Sequence, residues 1–139
     1  MADEAGKSVL RRQAHAARAA LSQDTRNAAA LAVSRHFFEN IAFGPEDVVA
    51  GYWRIRDELD CRPIMLRLLD GGQTLVLPVV AGPDRALDLR VWAADAPLYE
   101  AGFGTLAPSD LAPRAVPDLM LVPLLGFDAA GTRLGYGGG

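Results

Sequence analysis

Apolar positions near the start of the chain recur at helical spacing. Leu10, Ala14, Ala17 and Leu21 form a stripe within residues 7–21, a stretch otherwise rich in Ala, Arg and Gln, which predicts an amphipathic helix with that stripe buried. At about 100° per residue, Lys7, Arg11, His15 and Arg18 fall on a second stripe beside it, so a basic ridge flanks the buried face. Ser22 is a suitable N-cap with Asp24 in the first turn behind it. It opens a second helix whose Ala30, Val33, Phe37 and Ile41 share a face.

Beyond the break FGPED the period changes. Residues 48–53 (VVAGYW) make a short β-rich run suited to a buried strand, Pro63 opens a helix that Gly71 and Gly72 end, and residues 73–80 (QTLVLPVV) supply the next strand. Strand, helix and strand in such close succession form a βαβ unit with parallel strands. Residues 87–93 (LDLRVWA) suit a strand at the sheet edge, and residues 97–117 read as a long loop rich in Gly and Pro. Residues 118–125 (DLMLVPLL) return as a buried strand before the final loop GFDAAGTRLGYGGG. The expected fold is α/β, a single domain over residues 1–139, with a mainly parallel sheet, flanking helices and Rossmann-like layers.

Composition narrows the function classes. With 50% hydrophobic and 22% charged residues among 139, the chain reads as globular rather than disordered. A net charge of -3 provides no general surface for polyanions, so nucleic acid is not expected as a partner. The single Cys61 cannot form an internal disulfide, the start lacks the apolar core of a signal peptide, and no apolar run approaches the ~18 residues of a membrane helix. A cytoplasmic monomer without a membrane partner is the expectation.

Three clusters carry candidate chemistry. In RLGYGGG, residues 133–139, consecutive glycines let backbone N–H groups converge on a phosphate. The stretch is neither a Walker A loop nor a dinucleotide fingerprint, and by itself it also suits a plain turn-forming end. On the basic ridge, Lys7 and Arg11 are like charges at i, i+4. That placement costs a few tenths of a kcal/mol unless an anion or a carboxylate sits between them, and a solvated surface is the other explanation. The third cluster, RIRDELD at residues 54–60, follows a strand, where ligands of open α/β sheets gather. There Glu58 could accept hydrogen bonds from a substrate N–H, or it could be solvated loop; Asp57 suits a turn former and Asp60 a helix N-cap neighbour.

Taken in order, KSVLRR, RAALSQDTR, DELDCRPI, LPVV, GFGTLAP and LVPLLGFDAAGTRLGYGGG resemble the 5-formyltetrahydrofolate cyclo-ligase family, also called methenyltetrahydrofolate synthetase. The resemblance spans nearly the whole chain and is most specific in the last stretch. It implies ATP- and magnesium-dependent conversion of 5-formyltetrahydrofolate to 5,10-methenyltetrahydrofolate with release of ADP and phosphate. It further implies that Lys7, Arg11, Arg133, Leu134, Gly135, Tyr136, Gly137, Gly138 and Gly139 bind ATP. Trp53, Glu58 and Phe103 would contact the folate, and Glu58 and Tyr136 would be catalytic, Tyr136 lying where nucleotide and folate meet. The family route transfers the γ-phosphoryl group to the formamide oxygen, a poor leaving group, so that N10 can close the ring.

The chain departs from the family pattern in places. That pattern continues past the glycines with an aromatic pair, an Asp that suits magnesium, and further strands, which have no match here; a longer gene product is therefore expected. Asp128 reads as a loop brace, and Ala107 stands where many members place an acid or amide. Cys61 reads as a structural thiol, His15 as helix surface, His36 as bordering the apolar face, and Trp92 with Phe37 and Phe38 as core. The alternatives are a family-like paralogue that binds nucleotide or folate without turnover and a protein-interaction domain.

Overall fold

The computed structural model describes residues 4–102 and 104–136. Two helices open the chain, α1 (Glu4–Ala19) and α2 (Gln23–Asn40), and Ser22 caps the second by accepting the Thr25 N–H at 3.1 Å. Strand β1 (Val48–Ala50), helix α3 (Arg62–Asp70) and strand β2 (Thr74–Val79) form the expected βαβ unit. Pro63 lies in the first turn of α3 and Gly71 closes it. The two strands pair in parallel with Val49 opposite Leu75.

Strand β3 (Asp88–Val91) lies antiparallel on β2, and β6 (Leu119–Met120) lies parallel on β1, giving the order β3-β2-β1-β6. The sheet is thus mainly parallel, with β3 at an edge as its position suggested. Between them, β4 (Tyr99–Glu100) and β5 (Leu106–Ala107) make a small hairpin, so the stretch expected to be loop carries structure. The final hairpin pairs β7 (Gly126–Phe127) with β8 (Arg133–Leu134).

The core sits between α3 and the sheet. Met65, Val49, Leu75 and Leu77 are fully buried, and Ile64, Leu68, Cys61, Phe37 and Trp92 pack around them. Gly51 is needed at the end of β1, because a Cβ there would overlap the Met65 sulfur. Cys61 is a structural thiol as read: it is buried and donates to the Tyr52 carbonyl, and burial pushes its pKa up to about 11.

Three expectations need correction. The stripe Leu10, Ala14, Ala17, Leu21 is not buried: α1 has no buried residue, and Leu10 and Leu21 are exposed. The helix is held instead through its basic ridge, whose side chains reach neighbouring loops. In α2 the buried row is Ala30, Ser34 and Phe37, whereas Val33 and Ile41 are exposed; a small hydroxyl occupies the inward position that hydrophobicity assigned to Val33. The strands expected over 48–53 and 118–125 shrink to three and two residues. Met120 and Val122 are exposed, and among the described residues β6 pairs with β1 alone.

Candidate active site

Beyond Ala50 the chain leaves the sheet and turns over the carboxyl ends of the parallel strands. The turn is tight: Arg56 takes a left-handed conformation (φ 53°), the Glu58 N–H donates to the Ile55 carbonyl at 3.1 Å, and the Ile55 N–H donates to Glu58 Oε1 at 2.6 Å. These bonds draw the Glu58 side chain inward, where it is only 6% exposed. The solvated-loop reading of Glu58 is therefore overturned by the local hydrogen bonding of the turn. Asp60 brackets the start of α3 as expected, accepting the Arg62 N–H at 3.0 Å and pairing with the Arg62 guanidinium. Burial alone would raise its pKa, but the Arg62 hydrogen bonds hold it below the usual carboxylate range.

A cavity of about 570 Å³ opens at these strand ends. Its walls are mostly apolar, from Trp53, Pro78, Leu89, Leu106, Met120 and Leu121, and its polar contribution includes Glu58 and Tyr136. Trp53 is fixed edge-on against Trp92 at 6.1 Å, with the Arg62 guanidinium 5.6 Å from its ring centre. The β4–β5 turn contributes Ala101 and Thr105 to the cavity; Phe103, in that turn, lies outside the described residues.

Glu58 and Tyr136 also line a second cavity of about 420 Å³, together with His15, Arg18, Arg56 and Asp57. The Tyr136 hydroxyl donates to Glu58 Oε2 at 2.6 Å and accepts from Arg18 Nη1 at 2.9 Å. Burial and the bond to Glu58 raise the Tyr136 pKa against the opposing pull of Arg18, so the phenol keeps its proton at neutral pH. His15 is exposed, with its ring 5.9 Å from that of Tyr136.

The structure brings the three sequence clusters together. Arg11 Nε donates to the Gly135 carbonyl at 3.1 Å, tying the basic ridge to the final loop. Glu4 supplies the carboxylate between Lys7 and Arg11, at 3.5 and 3.7 Å, and its side chain is 79% exposed, an arrangement an incoming anion can displace. Arg133 is exposed and Leu134 half-buried in β8, leading directly into Gly135 and Tyr136; Gly137, Gly138 and Gly139 lie outside the described residues. Asp128 is the loop brace expected, its Oδ1 accepting the Ala130 and Thr132 N–H groups at 2.9 Å each.

The family model for 5-formyltetrahydrofolate cyclo-ligases matches residues 3–139. The chain belongs to that family. The NMR structure of 5,10-methenyltetrahydrofolate synthetase from Aquifex aeolicus superposes with a TM-score of 0.83 at 30% sequence identity, covering 96% of this chain and 68% of that one. The synthetase from Mycoplasma pneumoniae superposes at 0.68 with 20% identity, over 94% of this chain and 71% of that one, which establishes likeness of fold. No curated protein matches the chain by sequence. Family membership accounts for the mixed, mostly parallel α/β sheet and carries the ATP-dependent cyclo-ligase activity of the family.

Sequence reasoning placed Arg18 on the ridge without a role and took Asp57 for a turn former. In the structure Arg18 Nε donates to Asp57 Oδ1 at 2.9 Å. The available signal was spacing, since Arg18 stands two helical turns beyond Arg11 on the same face. Tyr52 was also passed over. It lines the large cavity and anchors the turn by donating to the Leu59 carbonyl at 2.7 Å, and burial raises the pKa of its phenol.

Proposed function

We propose that this chain catalyses the ATP-dependent cyclisation of 5-formyltetrahydrofolate to 5,10-methenyltetrahydrofolate, releasing ADP and phosphate, as a cytoplasmic monomer. The observation that carries the reading is the 2.6 Å bond between Tyr136 and Glu58 on a wall shared by two cavities, one apolar and one flanked by the basic ridge. A reaction between a flat heterocycle and a nucleotide phosphate needs two such adjoining spaces.

In this reading the pterin enters the larger cavity beside Trp53, and Phe103 is a further folate contact. Glu58, anchored through one oxygen to the Ile55 N–H, orients the reacting end of the folate through its remaining acceptor capacity. Tyr136 keeps its proton and acts as a hydrogen-bond donor rather than a base. Lys7, Arg11 and Arg133, with the backbone from Leu134 through Gly135, Tyr136, Gly137 and Gly138 to Gly139, hold the ATP phosphates. Transfer of the γ-phosphoryl group to the formamide oxygen makes that oxygen a leaving group, and N10 then closes the ring. The residues contribute position and positive charge, and the apolar walls exclude water.

ATP is consumed as a substrate, and magnesium would arrive on its phosphate oxygens. Among the described residues no three His, Cys, Asp or Glu side chains gather as a metal cage. Among those residues, too, no helix is long and apolar enough to cross a membrane. The test is the near-ultraviolet absorbance of methenyltetrahydrofolate formed from 5-formyltetrahydrofolate with and without Mg-ATP. An ATP-dependent rise is expected. Binding of both substrates without a rise would point to a non-catalytic paralogue.

A further inference from the structure

Arg18 sits at the junction of four elements. Its Nε donates to Asp57 Oδ1 and its Nη1 to the Tyr136 hydroxyl, both at 2.9 Å, while its guanidinium carbon lies 5.6 Å from the Tyr136 ring centre. The phenol proton goes on to Glu58 Oε2, and Glu58 Oε1 is bonded to the Ile55 N–H. The result is one directional chain: Asp57 orients Arg18, Arg18 donates to Tyr136, Tyr136 donates to Glu58, and the turn backbone fixes Glu58. The pair with Asp57 is well shielded, with side-chain exposures of 18% and 19%. At its far end, Arg26 Nη2 caps the last turn of α1 through the Arg18 and Ala19 carbonyls, which steadies the backbone that carries Arg18.

We propose that Arg18 is a positioning residue for the cyclo-ligase reaction: it clasps the final loop to the Asp57–Glu58 turn through Tyr136 and so holds Glu58 in register between the two substrates. This rests on the function proposed above. An arginine is required because two separate N–H donors of one rigid fork meet two acceptors at once; the compact ammonium of lysine keeps the charge but loses the fork. Without the clasp, Glu58 keeps its bond to Ile55, yet Tyr136 and the loop that follows Arg133 lose an anchor to α1.

The experiment uses the full chain and four proteins: wild type, Arg18→Lys, Tyr136→Phe and the double variant. Two quantities are read, cyclisation kinetics and the rate of tryptic cleavage after Arg133. Arg18→Lys is expected to lower kcat roughly tenfold to a hundredfold with little change in the KM for folate, because misplacement penalises the reacting geometry more than ground-state binding. Added to Tyr136→Phe, it should cause no further loss, since both changes break the same chain. Cleavage after Arg133 should accelerate in both single variants. Losses that multiply in the double variant, or wild-type kcat in Arg18→Lys, overturn the proposal. If wild type itself forms no product, the functional reading fails and cleavage alone decides the clasp: unchanged cleavage in Arg18→Lys overturns it. Should Arg18→Lys unfold, Tyr136→Phe leaves α1 untouched and its cleavage rate decides in the same way.

Discussion

The core beneath α3 and the clasp above the strand ends are built by opposite means. In the core, Met65, Val49, Leu75 and Leu77 lose all contact with water, and the gain is non-directional and shared among many contacts. In the clasp, Arg18, Asp57, Tyr136 and Glu58 meet through single hydrogen bonds of 2.6–2.9 Å, beside open cavities. Removing core atoms should therefore weaken the fold, whereas removing one clasp atom should leave the fold standing and disable the chemistry. On the proposed function this site admits two substrates and cannot be filled with apolar side chains, so its order comes from directed hydrogen bonds.

The largest expected effect is on the core side of this contrast. Leu75→Ala should destabilise the protein by about 2–5 kcal/mol in denaturant unfolding, the range for a buried leucine truncated in a packed core. A smaller loss would mean that the space between α3 and the sheet collapses readily. Glu58→Gln tests the other side. It is expected to lower kcat by about 10²–10³ at a stability cost of about 1–3 kcal/mol, because the new amide NH2 faces a donor; wild-type turnover would end the role assigned to Glu58.

Beside the phenols of Tyr52 and Tyr136, whose pKa values are also raised, Cys61 contributes to the alkaline limit of stability. Its pKa is raised by burial to about 11, above the unfolded thiol value of about 8.5. The stabilisation is therefore fully present below about pH 8.5 and is lost as pH rises toward 11. Unfolding measured across that window should show the loss in wild type, and Cys61→Ala should flatten the slope. Cap and stripe give the smallest changes. Ser22→Ala should cost about 1 kcal/mol by freeing the Thr25 N–H, and Leu10→Ala should stay within about 0.5 kcal/mol because Leu10 is exposed on α1. A larger loss at Leu10 would show that another surface covers the stripe.

Sequence alone determined the elements whose signals are local. Ser22 marks the start of α2, Pro63 and Gly71 bound α3, and the βαβ order dictates parallel pairing of β1 and β2, because each depends on neighbours a few residues away. The family was also legible, since its signature lies in contiguous motifs. Tertiary structure decided what depends on partners distant in the chain. Hydrophobic periodicity on α1 names a face but cannot supply a surface to cover it, and the helix is held instead by Arg11 and Arg18 reaching residues 135 and 136. Glu58 was ambiguous as a loop carboxylate until the turn at Ile55 drew it inward and Tyr136, 78 residues away, donated to it. Spacing places Arg18 on the ridge but does not name Asp57, 39 residues away, as its partner, because a hydrogen bond depends on where two atoms meet in space and not on the period of either segment.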